Sequence, residues 1–333
     1  MGCLLGWFEC RGREARPCIL AAAALKTAHG VPIGIEQPSP ATAMTHARSF
    51  ALRLARQLAV ALACSALLAA PARAQEDTTY RFSPVNQYGI NLTAAYWNPI
   101  IAYVSEKSGV KLQLKIGRTS ADTTAFVLAQ EVEFVFTNHL FSPEREQLGW
   151  KVFGRRITPP VHGQIIVPDD SPVTDIAQLA GKEVAFPGPE ALVAYKFPAA
   201  QLMAKKVEFK TVFGGNMDGA LAQLFAGKVA AVGANSQLAE GYARREGKKY
   251  RVLWSSAPLH DLALMSSAKV PDKVQAAVAR AFVGMAQDPA GMAILKQAST
   301  QVGLGAEAVF IASNGAEYAG YRDFYRTAPL ALR

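Results

Sequence analysis

The stretch that decides the fold is Val110-Lys111-Leu112-Gln113-Leu114-Lys115-Ile116, in which apolar and polar residues alternate strictly. Such alternation predicts a half-buried β-strand. Residues 93–108, just before it, carry apolar side chains at helical spacing, and Gly109 stands where a helix commonly ends. Residues 80–85 predict another strand upstream. Together these elements predict a strand–helix–strand unit.

The same alternation of strands and helices recurs along the chain. Further strands are predicted over residues 132–136, 163–167, 183–186, 207–213, 229–233 and 250–254. Strands separated by helices of about 10–15 residues favour mainly parallel sheets with helices on both faces. The sequence therefore predicts an α/β fold.

Two irregular segments divide this pattern. Residues 158–163 are rich in turn formers, and residues 255–268 form a second break that contains an apolar stretch. Two crossings of this kind are typical of two doubly wound lobes joined by a two-segment hinge. We predict that residues 75–162 and 262–333 form lobe 1 and that residues 163–261 form lobe 2.

The segment Met44–Ala74 has the pattern of a secretory signal peptide. Basic residues precede an apolar run over residues 58–70, and Ala72 and Ala74 provide small residues at a cleavage site. We expect a mature chain that starts near Gln75 and acts outside the cytoplasm. A short buried helix and lipid anchoring at Cys64 remain alternatives. Residues 1–43 do not fit this plan and are interpreted as an over-extended N-terminus.

Removal of residues 1–74 changes the composition of the chain. All four cysteines lie in that segment, so the mature chain can form no disulfide. The segment carries 8 Lys and Arg and 3 Asp and Glu, so the formal net charge falls from +9 to +4. This mild excess is compatible with anionic ligands but is too small to indicate nucleic-acid binding.

The mature sequence lacks the common catalytic and metal-binding motifs. It has no H-E-x-x-H, C-x-x-C, P-loop, G-x-S-x-G or G-x-G-x-x-G pattern. Its three histidines, His139, His162 and His260, are far apart in sequence and favour structural roles. We therefore expect no enzymatic activity, no cofactor and no metal.

Polar residues follow the ends of several predicted strands, where doubly wound sheets bind their ligands. Helix N-termini at the same edge offer free N–H groups to an anion. For each residue alone, a role as helix cap or turn former is an equal alternative. As a set they predict one ligand-binding cleft, formed by Gln87, Tyr88, Thr119, Ser120, Thr137, Asn138, His139, Tyr195, Asn216, Met217, Asp218 and Asn235.

Several of these stretches resemble the periplasmic phosphate, phosphite and phosphonate-type solute-binding proteins of ABC transporters. The resemblance covers most of residues 80–300 and rests on residues 97–110, 170–182, 194–198, 213–221, 226–232 and 285–295. It implies a type II periplasmic binding fold, a location in the periplasm, a small-molecule ligand, an inner-membrane ABC permease as partner and a monomeric receptor.

The sequence departs from this family at the positions that bind the phosphoryl group. Residues 191–195 replace the family's Ser-Thr-Ser-Gly-Tyr with Ala-Leu-Val-Ala-Tyr, Met217 stands where the family has histidine, and Ala230 where it has an acidic residue. Each lost buried hydrogen bond is worth about 1–3 kcal/mol. These departures favour a more apolar or neutral ligand, or a different oxyanion. In that case Tyr88, Tyr195 and Met217 are expected to form an apolar wall.

The favoured interpretation is a two-lobed receptor that closes on a small solute and delivers it to an ABC permease. A sensory or accessory receptor of the same fold with a non-phosphonate ligand is the alternative. A secreted enzyme on the same scaffold is a third hypothesis, which the absence of catalytic motifs disfavours.

Overall fold

The computed structural model describes residues 78–304 and 308–333. These residues belong to a compact unit that spans Ala74–Arg333. The predicted signal peptide, the over-extended N-terminus and the lipid anchor at Cys64 lie outside the described residues. Those three hypotheses therefore stay predictions.

The strands of the described residues belong to two separate sheets. In chain order they are β1 (Tyr80–Pro84), β2 (Leu112–Leu114), β3 (Phe134–Thr137), β4 (Lys151–Ile157), β5 (Gly163–Pro168), β6 (Glu183–Phe186), β7 (Lys210–Phe213), β8 (Ala231–Asn235), β9 (Tyr250–Ser255), β10 (Ala263–Ser266) and β11 (Val309–Ala312). One sheet has the order β11-β4-β10-β3-β1-β2, and the other has the order β7-β6-β8-β5-β9. Each sheet is the centre of one lobe.

The α-helices lie mainly between these strands. They are α1 (Ile90–Ser108), α2 (Asp122–Leu128), α3 (Pro143–Glu146), α4 (Phe197–Ala204), α5 (Met217–Phe225), α6 (Ser236–Glu246), α7 (Asp272–Gly284), α8 (Pro289–Gln301) and α9 (Ala319–Thr327). A π-helical turn over Leu192–Lys196 leads directly into α4. Short 3-10 helices cover Ile176–Leu179, Ala316–Tyr318 and Leu330–Leu332.

The helix and strand predicted around Val110 are both present, with shifted ends. Helix α1 begins at Ile90, and it ends before Gly109, whose φ of 67° is the left-handed conformation that glycine adopts readily. Its buried Trp97 packs against Phe82 and Phe136, with ring centroids 5.0 and 5.1 Å away. This aromatic contact fixes α1 on the six-stranded sheet.

The prediction of mainly parallel sheets was wrong, because both sheets are mixed. Strands β1, β2 and β3 pair in parallel, as do β6, β7 and β8. In contrast, β10 is antiparallel to β3 and β4, β11 to β4, and β5 to β8 and β9. The sequence analysis missed β4, β10 and β11, so it missed all the antiparallel strands of the first sheet.

The two-lobed α/β class and its two-segment hinge are confirmed. The chain leaves the first sheet after β4 and enters the second at β5, and it returns between β9 and β10. The two crossing segments pair with each other, since Val161 and Leu259 exchange backbone hydrogen bonds of 3.0 and 2.7 Å. The lobe boundaries at residues 162 and 262 stay a prediction.

The C-terminal helix α9 connects the lobes on one side of the hinge. The ring of Phe324 lies 4.5 Å from the ring of Phe197 in α4, measured between centroids. Tyr318 and Tyr325 are buried in the same apolar cluster as Leu192 and Val193 from the second lobe. Part of the hydrophobic core is therefore shared between the lobes.

Candidate functional site

A cavity lies between the lobes at the carboxyl ends of parallel strands from both sheets. Segments that follow β1, β3 and β6 contribute to its wall, as does the last residue of β8. This is the position at which open α/β sheets place ligands. The lining residues are Val85, Asn86, Gln87, Ser120, Asn138, His139, Pro187, Ala191, Leu192, Val193, Ala194, Met217, Asn235, Leu238 and Leu262.

The cavity is small. Its volume of about 40 Å³ compares with the roughly 10–15 Å³ needed to enclose one water molecule on the same measure. It therefore has room for a compact group of a few non-hydrogen atoms. Larger ligands require the lobes to separate further.

Half of the residues predicted for the cleft line this cavity. They are Gln87, Ser120, Asn138, His139, Met217 and Asn235. All six are buried, and they come from both lobes. The other six are not among the lining residues: Tyr88, Thr119, Thr137, Tyr195, Asn216 and Asp218.

Three of those six are engaged in local hydrogen bonds. Thr119 donates its hydroxyl to the Asp122 carboxylate at 2.9 Å. The Thr137 hydroxyl accepts from the backbone of His139, and Asn216 caps α5 by accepting from the N–H of Gly219. These three side chains therefore stabilise local turns or a helix end, which was the alternative to ligand binding in the sequence analysis.

The remaining three have other surroundings. Tyr195 packs edge-on between Phe186 and Phe213, with centroid distances of 4.8 and 5.2 Å. Tyr88 is buried in the first lobe, so neither Tyr195 nor Tyr88 contributes to the predicted apolar wall. Asp218 forms an ion pair with Arg245. Burial raises the pKa of Asp218, and the nearby Arg245 offsets only part of that rise.

Ser120 is the polar group most available to a ligand. Its side chain is 2 % exposed, and its hydroxyl has no hydrogen-bond partner among the described residues. Burying a hydroxyl without a hydrogen-bond partner lowers the stability of the protein, and a ligand in the cavity that accepts from or donates to this hydroxyl would remove that cost. Gly188 from the second lobe approaches closely, because a Cβ there would lie 2.6 Å from the Ser120 Oγ.

His139 contributes a neutral imidazole to the cavity. Its Nδ1 lies 3.0 Å from the Thr124 hydroxyl. Burial lowers the pKa of His139 to about 3, and the negative charge of Glu190 only partly offsets this effect. The ring therefore carries no charge near neutral pH.

The second lobe closes the cavity with the π-helical turn at residues 192–196. The first N–H groups of this turn that form backbone hydrogen bonds are those of Tyr195 and Lys196. Both donate to the carbonyl of Ala191. The N–H groups of Leu192, Val193 and Ala194 precede them, at residues that line the cavity. Such groups are free to donate to an anion or carbonyl.

The sequence analysis missed Arg156, which lies behind the cavity in β4. Its side chain is only 1 % exposed and pairs with Asp261, with Nε to Oδ2 at 2.7 Å. It also donates to the Tyr96 hydroxyl at 3.1 Å and to the Gln87 Oε1 at 3.4 Å. No local pattern reveals this pair, because 105 residues separate its two members.

The lobes contact each other around the cavity, so the structure is closed. The N–H of Ser120 donates to the carbonyl of Gly215 at 2.7 Å, and that of Met217 to the carbonyl of Gln87 at 3.2 Å. On the opposite side, Arg145 forms an ion pair with Glu190, in which Nη2 lies 2.9 Å from Oε1.

Residues 78–304 and 308–333 contain neither a candidate metal site nor a candidate membrane-spanning helix. No group of three or more His, Cys, Asp or Glu side chains in this range could hold a metal ion. No helix in it combines the length and the apolar character that crossing a membrane requires.

A family model matches residues 82–307, which include the whole five-stranded sheet, most of the six-stranded sheet and the whole cavity lining. The model describes the periplasmic substrate-binding protein of phosphonate ABC transporters. The chain belongs to this family. The match confirms the predicted resemblance and the role of a solute receptor, and it favours transport over the sensory alternative. The family consists of transport proteins and is not an enzyme family.

Solved structures share the fold at low sequence identity. A binding protein component of an ABC phosphonate transporter from Pseudomonas aeruginosa is 14 % identical, with a TM-score of 0.65, and the match covers 74 % of this chain and 86 % of that one. A Prochlorococcus marinus protein in complex with methylphosphonate is 13 % identical, with a TM-score of 0.64 and coverages of 75 % and 98 %. A Xanthomonas citri protein bound to ATP is 12 % identical, with a TM-score of 0.56 and coverages of 74 % and 96 %. No curated protein matches the chain.

Proposed function

We propose that the mature chain is an exported, monomeric periplasmic receptor that captures a small ligand in the cavity between its lobes and delivers it to an inner-membrane ABC permease. Ligand contacts come from Gln87, Ser120, Asn138, His139, Met217 and Asn235, together with the N–H groups at residues 192–194. Binding is non-covalent, and closure of the lobes encloses the ligand.

The unpartnered Ser120 hydroxyl supports this proposal most directly. It is buried in a cavity to which the other lobe contributes the free N–H groups of the π-helical turn. A ligand that contacts both walls binds the closed state better than the open state, and this difference drives closure. Two proteins of similar fold support the proposal: the component of an ABC phosphonate transporter from Pseudomonas aeruginosa and the Prochlorococcus marinus protein that binds methylphosphonate.

The proposal predicts a compaction of the protein upon ligand binding. The mature chain from Gln75 onwards is to be screened by thermal shift against phosphate, alkylphosphonates, alkylsulfonates and amino acids. Small-angle X-ray scattering then compares the radius of gyration of the free protein with that of each complex. A ligand is expected to raise Tm and to reduce the radius of gyration.

The variant Ser120→Ala tests the site itself. It is expected to lower the affinity for such a ligand about tenfold, since one buried hydrogen bond is lost. Ser108→Ala, at the far end of α1, serves as the control and is expected to bind like the unmodified protein. Equal affinity of both variants would place the ligand elsewhere. Failure of every compound in the screen to raise Tm would count against the receptor function.

A further inference from the structure

The orientation of Gln87 is fixed by the buried arginine behind it. Arg156 Nη2 lies 3.4 Å from Gln87 Oε1. A guanidinium has donors only, so the amide oxygen must face Arg156. The NH₂ group of Gln87 is then the part of the amide left for the cavity, to which this residue contributes.

Helix α6 fixes the orientation of the Asn235 side-chain amide, as Arg156 does for Gln87. Its Oδ1 accepts hydrogen bonds from the N–H groups of Gln237 and Leu238 at 3.0 and 3.3 Å, which is the geometry of an N-cap. The oxygen is therefore occupied, and the NH₂ group of Asn235 remains for a ligand. Both oriented amides present donors to the cavity.

Further donors in the lining are uncharged. The N–H groups at residues 192–194 can only donate, and the Ser120 hydroxyl has no other partner among the described residues. The lining contains no carboxylate and no Lys or Arg side chain. The strongest acceptor of a ligand proton, a carboxylate, is thus missing from a wall rich in donors.

Most of the remaining lining is apolar, apart from Asn86, Asn138 and the uncharged imidazole of His139. Leu192, Val193, Met217 and Leu238 come from the second lobe, and Leu262 from the first. Met217, Leu192 and Leu238 are buried. This surface fits a short alkyl group next to the polar head of the ligand.

From these contacts we infer that the receptor selects a small organosulfonate, a fully deprotonated oxyanion with a short alkyl group, over the phosphonate of the same shape. A sulfonate carries no proton, so all three of its oxygens accept hydrogen bonds. An alkylphosphonate binds a proton below about neutral pH, as phosphate esters do with a pKa near 6. Its P–OH group then presents a proton to a wall that holds mainly donors and no carboxylate to accept it. This inference rests on the receptor function proposed above.

Isothermal titration calorimetry of the mature protein with methanesulfonate and methylphosphonate tests this inference. At pH 6.0, methanesulfonate is expected to bind about tenfold more tightly, the effect of one unsatisfied buried hydrogen-bonding group. Between pH 6.0 and 8.5 its affinity stays constant, whereas that of methylphosphonate rises as the P–OH proton is lost. Equal or tighter binding of methylphosphonate at pH 6.0 overturns the inference.

A variant adds a carboxylate to the same wall. Asn235→Asp keeps the helix cap, because aspartate caps as well as asparagine does, but replaces a donor by a charged acceptor. It is expected to lower methanesulfonate affinity at least tenfold and to narrow or reverse the preference over methylphosphonate at pH 6.0. Asn314→Asp is the control, because Asn314 also accepts from a backbone N–H, that of Ala316, but is exposed and far from the lining.

The outcomes separate this inference from the receptor function. Binding of methylphosphonate but not of methanesulfonate overturns the sulfonate inference and leaves the receptor intact. Unchanged methanesulfonate affinity in Asn235→Asp overturns the assigned orientation of the amide. Failure of both compounds overturns the sulfonate inference, and the wider thermal-shift screen then decides whether the receptor function fails as well.

Discussion

Arg145 of the first lobe and Glu190 of the second form a two-armed ion pair across the cleft. Nη2 of Arg145 lies 2.9 Å from Oε1, and Nη1 bonds to the other carboxylate oxygen. Nη1 also donates to the carbonyl of His139 at 2.7 Å, so the arginine connects the outer rim with a residue of the cavity. The two side chains are about one fifth exposed, so solvent screens the pair only in part.

The first prediction concerns this ion pair as a latch of the closed state. Glu190→Gln removes the charge but preserves the shape of the side chain. We expect ligand affinity to fall about 3- to 10-fold, mainly through faster dissociation, because the open state gains relative to the closed state. Stopped-flow binding measures the dissociation rate. The control is Glu146→Gln, which breaks an ion pair of Glu146 with Arg322 inside the first lobe and should leave the dissociation rate unchanged. An equal increase of the dissociation rate in both variants would refute the role of the Arg145–Glu190 pair as a latch.

The second prediction concerns the buried pair of Arg156 and Asp261. Arg156→Met leaves the carboxylate of Asp261 buried without its cation, which costs about 3–5 kcal/mol of unfolding free energy. The double variant Arg156→Met with Asp261→Leu removes both charges and should recover most of that loss. Urea denaturation measures both values. A double variant no more stable than the single one would show that the pair does more than neutralise two buried charges.

The third prediction follows from the buried imidazole of His139. Its pKa falls from 6.5 to about 3 in the folded protein, so the unfolded chain binds one more proton between these values. The free energy of unfolding therefore decreases as pH falls from 6.5 towards 3, by about 1.4 kcal/mol per pH unit from this group. His139→Gln should flatten the decrease over pH 6.5–4. His260→Gln, a change at an exposed side chain, should leave it unaltered.

The fourth prediction concerns the packing of β8 against the π-helical turn. A Cβ at Gly233 would lie 2.4 Å from the Phe186 ring and 2.5 Å from the carbonyl of Ala194. Gly233→Ala should therefore displace the turn that carries the free N–H groups and lower ligand affinity at least tenfold, with a loss of about 1–3 kcal/mol in stability. Calorimetry and urea denaturation measure the two effects.

The control for that variant is Gly284→Ala in α7. A Cβ at Gly284 meets no atom within 4 Å. This substitution should leave affinity unchanged and stabilise the protein by up to about 1 kcal/mol, because alanine favours the helix. Unchanged ligand binding in Gly233→Ala would show that the turn tolerates displacement.

The sequence predicted the fold class because its parallel units are local. Each βα unit joins neighbouring elements, and the alternation of residues 110–116 marks one strand of such a unit. Strand β4 escaped detection because Gly154, Arg155 and Arg156 interrupt any apolar pattern, and only its distant partner Asp261 explains a buried Arg156. Pairing of β4 with β10 and β11 is a tertiary property that no local window contains.

The cavity was predictable in part for the same reason. Ser120, Asn138 and Asn235 follow or end strands, so the topology alone gathers them at one edge. Thr119 and Asn216 also sit at strand ends, but their side chains satisfy nearby backbone or carboxylate groups. Which of two adjacent polar residues faces the ligand depends on such local bonds, and these become visible only in three dimensions.

The paired crossing segments at Val161 and Leu259 restrict how the two lobes can move relative to each other. Two backbone hydrogen bonds hold the segments side by side. Independent twisting of either segment would break both bonds, so the bridge favours rotation of the lobes about the line through it over other relative motions. Such a rotation would open the cavity on the side opposite that line.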